Sequence, residues 1–395
     1  MTDHETILVS VTGPDGPGLT TELLGMLHDA GAEVGDMEQV VIRGRLNLGI
    51  LIRVPAGRDL LRDLLLFGWE RGMQVHFEPV DPTPTPLRRV HTVTVLAETL
   101  TPGDLAAVTA AIAKAGGNID RILRLSRTPV TAYQFAVVDA SDGELREAAV
   151  ATANEHGLDL AVERDVVGTR NKRLVVLDVD QTLIQDEIID LLAEEAGTGE
   201  QVAEITAAAM AGELDFETAL HQRVALLEGL DGPALERAKE RVRLTPGAAT
   251  FVRTLRRLGM TVAIISGGFS FFTDDLARRL GIDHSFANTL ERRDGKLTGR
   301  VVGPVIDGPR KSRLLRQLAD GEGIPIAQTV AVGDGANDLD MLRAAGLGIA
   351  FNAKAVVRDA ADTAVSVPYL DAVLFLLGLR REDIDAADDH FGTSA

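Results

Sequence analysis

The chain has 395 residues, 45% of them hydrophobic and 4% aromatic, with a formal net charge of -19 at pH 7. That length calls for two or three domains with aliphatic cores, and that charge argues against nucleic-acid and anionic-membrane partners. The absence of cysteine excludes disulfides, thiolate metal sites and cysteine nucleophiles. No stretch reaches the ~18 apolar residues of a membrane span. Met1-Thr2-Asp3-His4-Glu5 lacks the basic start and apolar core of a signal peptide, so a soluble cytoplasmic protein is expected.

Ile7 to Val11 reads as an apolar strand, followed by the turn Thr12-Gly13-Pro14-Asp15-Gly16-Pro17-Gly18. Leu19, Leu23, Met26 and Leu27 then recur at helical spacing, and Ala30-Gly31 supplies a C-cap. Strands are expected from Glu38 to Arg43 and from Leu46 to Val54, with one more helix and strand closing a unit at 1–80. Asp81-Pro82-Thr83-Pro84-Thr85-Pro86 alternates proline as a semi-rigid extended linker does.

A second unit, 88–168, repeats the order. It has a strand at Val93 to Leu96, a turn around Pro102-Gly103, and a helix carrying Leu105, Val108 and Ile112 that ends at Ala115-Gly116. Strands follow at Ile119 to Arg124 and Ala132 to Val138. Gly18 and Gly103 stand 85 positions apart, as do Ala30 and Ala115; one register that fits both a loop and a helix end marks an internal repeat. The βαββαβ, ferredoxin-like order and the Gly-Pro-Asp-Gly-Pro-Gly turn of the first copy resemble the ACT domain. The second copy keeps only the last Pro-Gly. The resemblance implies modules that pair subunits into a homo-oligomer and bind an amino-acid effector near Gly18 or Gly103. The plainer role of those glycines is to permit a tight turn.

After a break near Gly168-Thr169-Arg170-Asn171-Lys172, residues 172–395 alternate strands and helices, the pattern of a mostly parallel α/β sheet. Leu174 to Leu177, Thr261 to Ile265 and Thr329 to Val332 are near-continuous apolar runs, as strands covered on both faces require. The first runs into Asp178-Val179-Asp180-Gln181-Thr182-Leu183, the second into Ser266-Gly267-Gly268, the third into Gly333-Asp334-Gly335-Ala336-Asn337-Asp338. Ligands of open α/β sheets bind at strand carboxyl ends. Asp178 and Asp180 repel, so a cation is expected beside them. Ser266 with glycine amides can cradle a phosphate, and Lys311 lies at the start of a helix between the second and third motifs. Singly these signals are weak, since a lone Asp-x-Asp is ordinarily a solvated turn. Together, in order and each at an element terminus, they define a site.

The set resembles the phosphatase branch of the haloacid dehalogenase superfamily over roughly the last 220 residues. Gly333-Asp334-Gly335-Ala336-Asn337-Asp338-Leu339-Asp340-Met341 and Gly348-Ile349-Ala350-Phe351-Asn352-Ala353-Lys354 are close matches. The resemblance implies a Rossmann-like parallel sheet with a helical cap at about 187–243. It makes Asp178 the nucleophile and Asp180 the general acid/base, and assigns phosphate to Ser266, Gly267, Lys311 and Asn337. Mg2+ falls to Asp178, the Asp180 carbonyl and Asp334, with Asp338 in support. Within the cap, Glu187-Ile188-Ile189-Asp190 and Phe216-Glu217-Thr218-Ala219-Leu220-His221-Gln222-Arg223-Val224 look like the phosphoserine phosphatase family. There Glu187 would contact a substrate amine and Arg223 its carboxylate, with Met210 and Phe216 lining and drying the pocket. Gln181 departs from the family, which has serine at that place. The alternatives are another small phosphomonoester, transfer to an acceptor other than water, or a catalytically silent amino-acid-binding regulator.

Overall fold

The computed structural model describes residues 4–55, 59–81, 90–164 and 171–391. The chain forms two compact units, 1–87 and 88–395. The expected linker at 82–86 and the break at 168–170 lie outside the described residues.

In the first unit β1 (His4–Pro14), β2 (Glu33–Ile42), β3 (Arg45–Pro55) and β4 (Gln74–Pro79) form an antiparallel sheet in the order β2-β3-β1-β4. Alternate residues of β1, Ile7, Val9 and Val11, are buried against Leu23, Leu64 and Phe67 of the helices Leu19–Asp29 and Asp59–Arg71. The expected strand ending at Arg43 is corrected. β2 begins at Glu33, and Arg43-Gly44 (φ 50° and 74°) is the two-residue hairpin turn into β3. Two left-handed residues suit the twist of the flanking strands.

The second unit opens with the same topology: β5 (Val90–Ala97), β6 (Asn118–Ser126), β7 (Thr131–Val138) and β8 (Asp159–Arg164), ordered β6-β7-β5-β8. Gly31 and Gly116 both end their helices at positive φ (68° and 72°), as the repeat register requires. The turn expected around Pro102-Gly103 is a helix start instead. Thr101 and Asp104 form a capping box, Pro102 occupies the first turn, and the helix is Pro102–Lys114. Gly18 alone keeps the left-handed conformation, φ 87°, as N-cap of its helix.

The remaining strands are β9 (Leu174–Leu177), β10 (Thr261–Phe269), β11 (His284–Arg293), β12 (Lys296–Val302), β13 (Thr329–Gly333), β14 (Leu347–Phe351) and β15 (Thr363–Val365). They make one Rossmann-like sheet in the order β12-β11-β10-β9-β13-β14-β15, parallel except for β12. Leu177 of the central strand β9 pairs with Ile264 and Val332. The carboxyl ends of β9, β10 and β13 therefore open on one place, where the chain leaves β9 for its neighbours on either side. Four helices, Ile188–Ala196, Gly199–Met210, Phe216–Ala225 and Gly232–Glu240, form the insert above that end. Its two stems meet where Ile184 bridges Leu244 and the Asp186 carboxylate accepts from the Arg243 backbone (2.8 Å) and guanidinium (2.6 Å).

β8 lies beside β15. The Thr363 hydroxyl donates to the Leu160 carbonyl (3.0 Å), while the Ser366 amide (2.6 Å) and hydroxyl (2.9 Å) donate to the buried Asp159 carboxylate. Leu96, Leu125, Val130, Ala132 and Ala161 share one apolar cluster with the large sheet. Desolvation raises the Asp159 pKa to about 6 against the opposing Ser366 bonds. A carboxyl raised in the folded state binds protons that the unfolded chain has released, so its contribution to stability is lost as pH rises from about 4 to about 6. Asp159→Asn removes that loss. Denaturant unfolding of the variant and the parent should show the variant gaining on the parent across this window and at least matching it at pH 7.5. A variant weaker at pH 7.5 would refute the assignment.

Candidate active site

The Asp178 backbone amide donates to the Val332 carbonyl (2.9 Å), tying the β9 exit to β13. Lys311, fully buried in the helix Gly308–Gly321, donates from Nζ to Asp178 Oδ1 and Asp338 Oδ1, both at 2.6 Å. The other Asp338 oxygen accepts from the Gly335 amide (3.0 Å). With both oxygens engaged by protein donors, Asp338 is an anchor for Lys311. Close approach explains two glycines. A Cβ at Gly333 would meet Asp338 Cγ at 2.5 Å, and one at Gly268 would meet Asp180 Oδ2 at 2.8 Å.

Asp180 stands across from this pair. Its carboxylate accepts from the Ile188 amide (2.9 Å) and the Ser266 hydroxyl (3.3 Å). Ser266 is fully buried and also accepts from the Gly268 amide (2.8 Å). The strand expected to stop at Ile265 continues through Ser266-Gly267-Gly268 to Phe269, with a break in register against β11. That irregularity aims the glycine-rich segment at the site.

Burial, then Asp338, Asp334 and Asp180, push the Asp178 pKa well above the usual carboxylate range despite Lys311. Burial likewise raises Asp180, against its Ile188, Lys311 and Ser266 contacts. Burial and Asp338 raise Asp334 to about 6, although Thr182 donates to its Oδ1 (3.2 Å). Burial alone would lower Lys311, but Asp178 and Asp338 overcome it and hold the ammonium charged. The site thus carries more negative charge than one lysine offsets. Carboxylate oxygens of Asp178, Asp334 and Asp338 lie within 4.8 Å of one another. With Asp338 engaged, Asp178 and Asp334 offer the hard oxygen donors that a divalent cation takes. Donor chemistry and surplus charge both fit such an ion.

A cavity of about 1090 Å³ joins this cluster to the cap, at the upper end of small-molecule sites. Asp178, Asp180, Gly267, Asp334 and Asn337 line its floor, and Glu187, Met210, Phe216 and Arg223 its upper wall. Glu187 is an exposed residue whose open face is cavity. Desolvation, then Asp180, Asp334 and Asp190, push its pKa up to about 8, opposed by Arg223. The Arg223 guanidinium is half-buried, donating weakly to the Ala219 carbonyl (3.3 Å) and Thr206 Oγ1 (3.5 Å). Most of its donors remain for a ligand. Phe216 packs over Gly267, whose Cβ would come within 3.0 Å of the ring. Met210 lines the cavity and is 68% exposed, which puts it toward the mouth. Gly18 and Gly103 each stand at the start of a helix in an antiparallel sheet module.

Four contributors escaped sequence reasoning. The Thr182 hydroxyl holds Asp334. The buried Asn288 donates to the Gly267 carbonyl (2.8 Å) and accepts from the Ile306 amide (2.9 Å), clamping the glycine segment. Thr206 touches Arg223. Asp190 lies in its field, and burial raises the Asp190 pKa against it. Thr182 and Asp190 stand inside quoted motifs and so carried a local signal; Asn288 and Thr206 carried none.

Comparison with known proteins agrees with this geometry. Residues 175–343 match a haloacid dehalogenase-like hydrolase model, and 5–78 and 89–163 each match an ACT domain model. A phosphoserine phosphatase of Streptomyces coelicolor is 51% identical over 98% of this chain and 95% of its own length. One of Mycobacterium tuberculosis is 48% identical over 97% and 95%. A solved phospho-aspartyl intermediate analogue of phosphoserine phosphatase is 43% identical with a TM-score of 0.50, covering 52% of this chain and 99% of that one. The chain belongs to the phosphoserine phosphatase family of haloacid dehalogenase-like hydrolases, with ACT domains ahead of the hydrolase.

Proposed function

We propose that this chain hydrolyses O-phosphoserine to serine and phosphate through an aspartyl-phosphate on Asp178. The observation that carries the reading is the convergence of Asp178, Asp180 and Lys311 beneath a cap that presents one carboxyl, Glu187, which a substrate ammonium would draw into its charged form, and one cation, Arg223, to the same cavity. A zwitterionic amino acid beyond the phosphate needs one of each. Asp178 attacks phosphorus while Asp180, raised in pKa, protonates the departing serine oxygen. Asp180 then takes a proton from the water that opens the intermediate. Lys311, the Ser266 hydroxyl, the Gly267 amide and Asn337 hold the phosphate oxygens as charge shifts onto them. Asp178, Asp334 and the Asp180 carbonyl would hold Mg2+, which would supply the charge neutralisation needed for a carboxylate to meet a phosphate dianion. Phe216 walls the pocket and Met210 shields its mouth.

In the same reading the chain divides into modules at 1–80, 88–168 and 172–395. The first two bind an amino acid, serine being the natural choice, near Gly18 or Gly103, and pair subunits. No helix among the described residues is long and apolar enough to cross a membrane; we place the reaction in the cytoplasm. The second module packs Leu96, Leu125, Val130, Ala132 and Ala161 into the hydrolase cluster, and deleting it would expose that face, so residues 1–87 are the ones suited to deletion. Phosphate release from a panel of phosphomonoesters, with Mg2+, should rank phosphoserine first for the intact chain and for the chain from 88 onward. The shortened chain should be a smaller oligomer with an altered response to added serine. An undistinguished rate on phosphoserine would sink the substrate; unchanged size and serine response would sink the regulatory part.

A further inference from the structure

Gln181 sits between the two aspartates' turn and the cap, and its backbone is strained. It holds φ 57°, ψ 1°, a left-handed conformation that a residue with a Cβ rarely adopts. Its side chain explains what holds it there. Nε2 donates to the Gln185 carbonyl at 3.0 Å; since a carbonyl only accepts, the amide nitrogen must face it. Gln185 in turn belongs to the cap stem. Its backbone amide donates to the Arg243 carbonyl (2.9 Å) and its side-chain amide to the Leu244 carbonyl (2.8 Å), on the opposite stem. Three residues on, the Ile188 amide donates to Asp180 Oδ1 (2.9 Å). Segment 180–188 is therefore a loop stapled twice, at Asp180–Ile188 and at Gln181–Gln185, with the second staple fastened to both stems.

We infer that Gln181 is a positioning residue for the general acid: its amide fixes the cap stem, and the stem, through the Ile188 amide, fixes the Asp180 carboxyl against the leaving group. The inference rests on the phosphatase reading. In the first half-reaction an Asp178 oxygen bonds to phosphorus, and the ester P–O bond breaks, leaving its electron pair on the departing oxygen. The Asp180 proton passes to that oxygen. A carboxyl turned away from it cannot deliver the proton, and the loss grows with the basicity of the leaving group.

The test uses substituted phenyl phosphates, which lack the groups that Glu187 and Arg223 would contact, so cap recognition drops out. The readout is kcat/KM, which ends at the first irreversible step and excludes opening of the intermediate. Gln181→Met keeps the length and loses the donor; Gln181→Gly also relieves the strain and stands in should the first fail to fold. In the full-length enzyme with Mg2+, both should lose about tenfold on phenyl phosphate, a fraction of the range of general acid catalysis. On 4-nitrophenyl phosphate they should stay within about twofold, so the plot against leaving-group pKa steepens. Hydrogen exchange in the metal-free protein should be faster over 181–188 in both. An unchanged slope, whatever the absolute rates or the exchange, overturns the positioning role. A parent enzyme that cleaves none of the esters overturns the phosphatase reading and this inference with it.

Discussion

Lys311→Met should lower turnover of phosphoserine by at least about 10²-fold, the scale for losing one preorganised charge contact in a transition state. Methionine preserves the stem and removes only the ammonium. That ammonium is hydrogen-bonded to both Asp178 and Asp338. Without it two buried carboxylates face each other with no cation between them. Breaking a buried pair by removing one partner costs about 3–5 kcal/mol, so the metal-free variant should also unfold at much lower urea. The deficit carries a pH signature. With the lysine gone, the buried Asp178 carboxyl, already raised, is raised further and stays protonated in the folded state, so the variant's stability falls as pH rises. Urea unfolding of the two proteins should differ less at pH 5 than at pH 8. Turnover within tenfold of the parent would remove Lys311 from the phosphate site and leave Arg310 as the next cation to test.

Arg223→Ala should separate recognition from chemistry. Charge-assisted hydrogen bonds contribute about 1.5–3 kcal/mol each, so kcat/KM for phosphoserine should fall by about 10²-fold, at about 1.4 kcal/mol per decade. An aryl phosphate has no carboxylate to lose and should stay within about threefold. The geometry favours such a division, because the hydrogen bonds of Arg223 among the described residues are long ones to Ala219 and Thr206, and Asp180 acts on it through the field alone. Equal losses on both substrates would mean that Arg223 supports the cap's fold. No loss on either would leave phosphatase chemistry intact and withdraw phosphoserine as its substrate.

Much of this architecture was legible because its signals are local. The four apolar residues of β9 followed by Asp178 and Asp180 mark a buried strand and its carboxyl end, and Gly333 to Asp338 mark another. The spacing of Gly31 and Gly116 exposes the repeat, since a left-handed helix terminus admits few residues besides glycine. Where local signals competed, tertiary context or capping chemistry decided. Pro102-Gly103 reads as a turn until Thr101 and Asp104 cap one another and draw it into a helix. Arg43 reads as strand until the hairpin requires a left-handed residue there.

What the sequence alone determined is the inventory: which side chains can do the chemistry and at which element ends they stand. The tertiary structure decided which of them share charge and space. It paired Lys311 with Asp178 across 133 positions, engaged Asp338 as an anchor, and brought Thr182 and Asn288 into the site. It left Met210 exposed at the mouth and, beside the second repeat's own core, packed Leu96, Leu125, Val130, Ala132 and Ala161 of that repeat into the hydrolase cluster. The reason is physical. Propensity, capping and alternation act over a few residues, whereas desolvation and Coulomb energy depend on which distant groups are packed together.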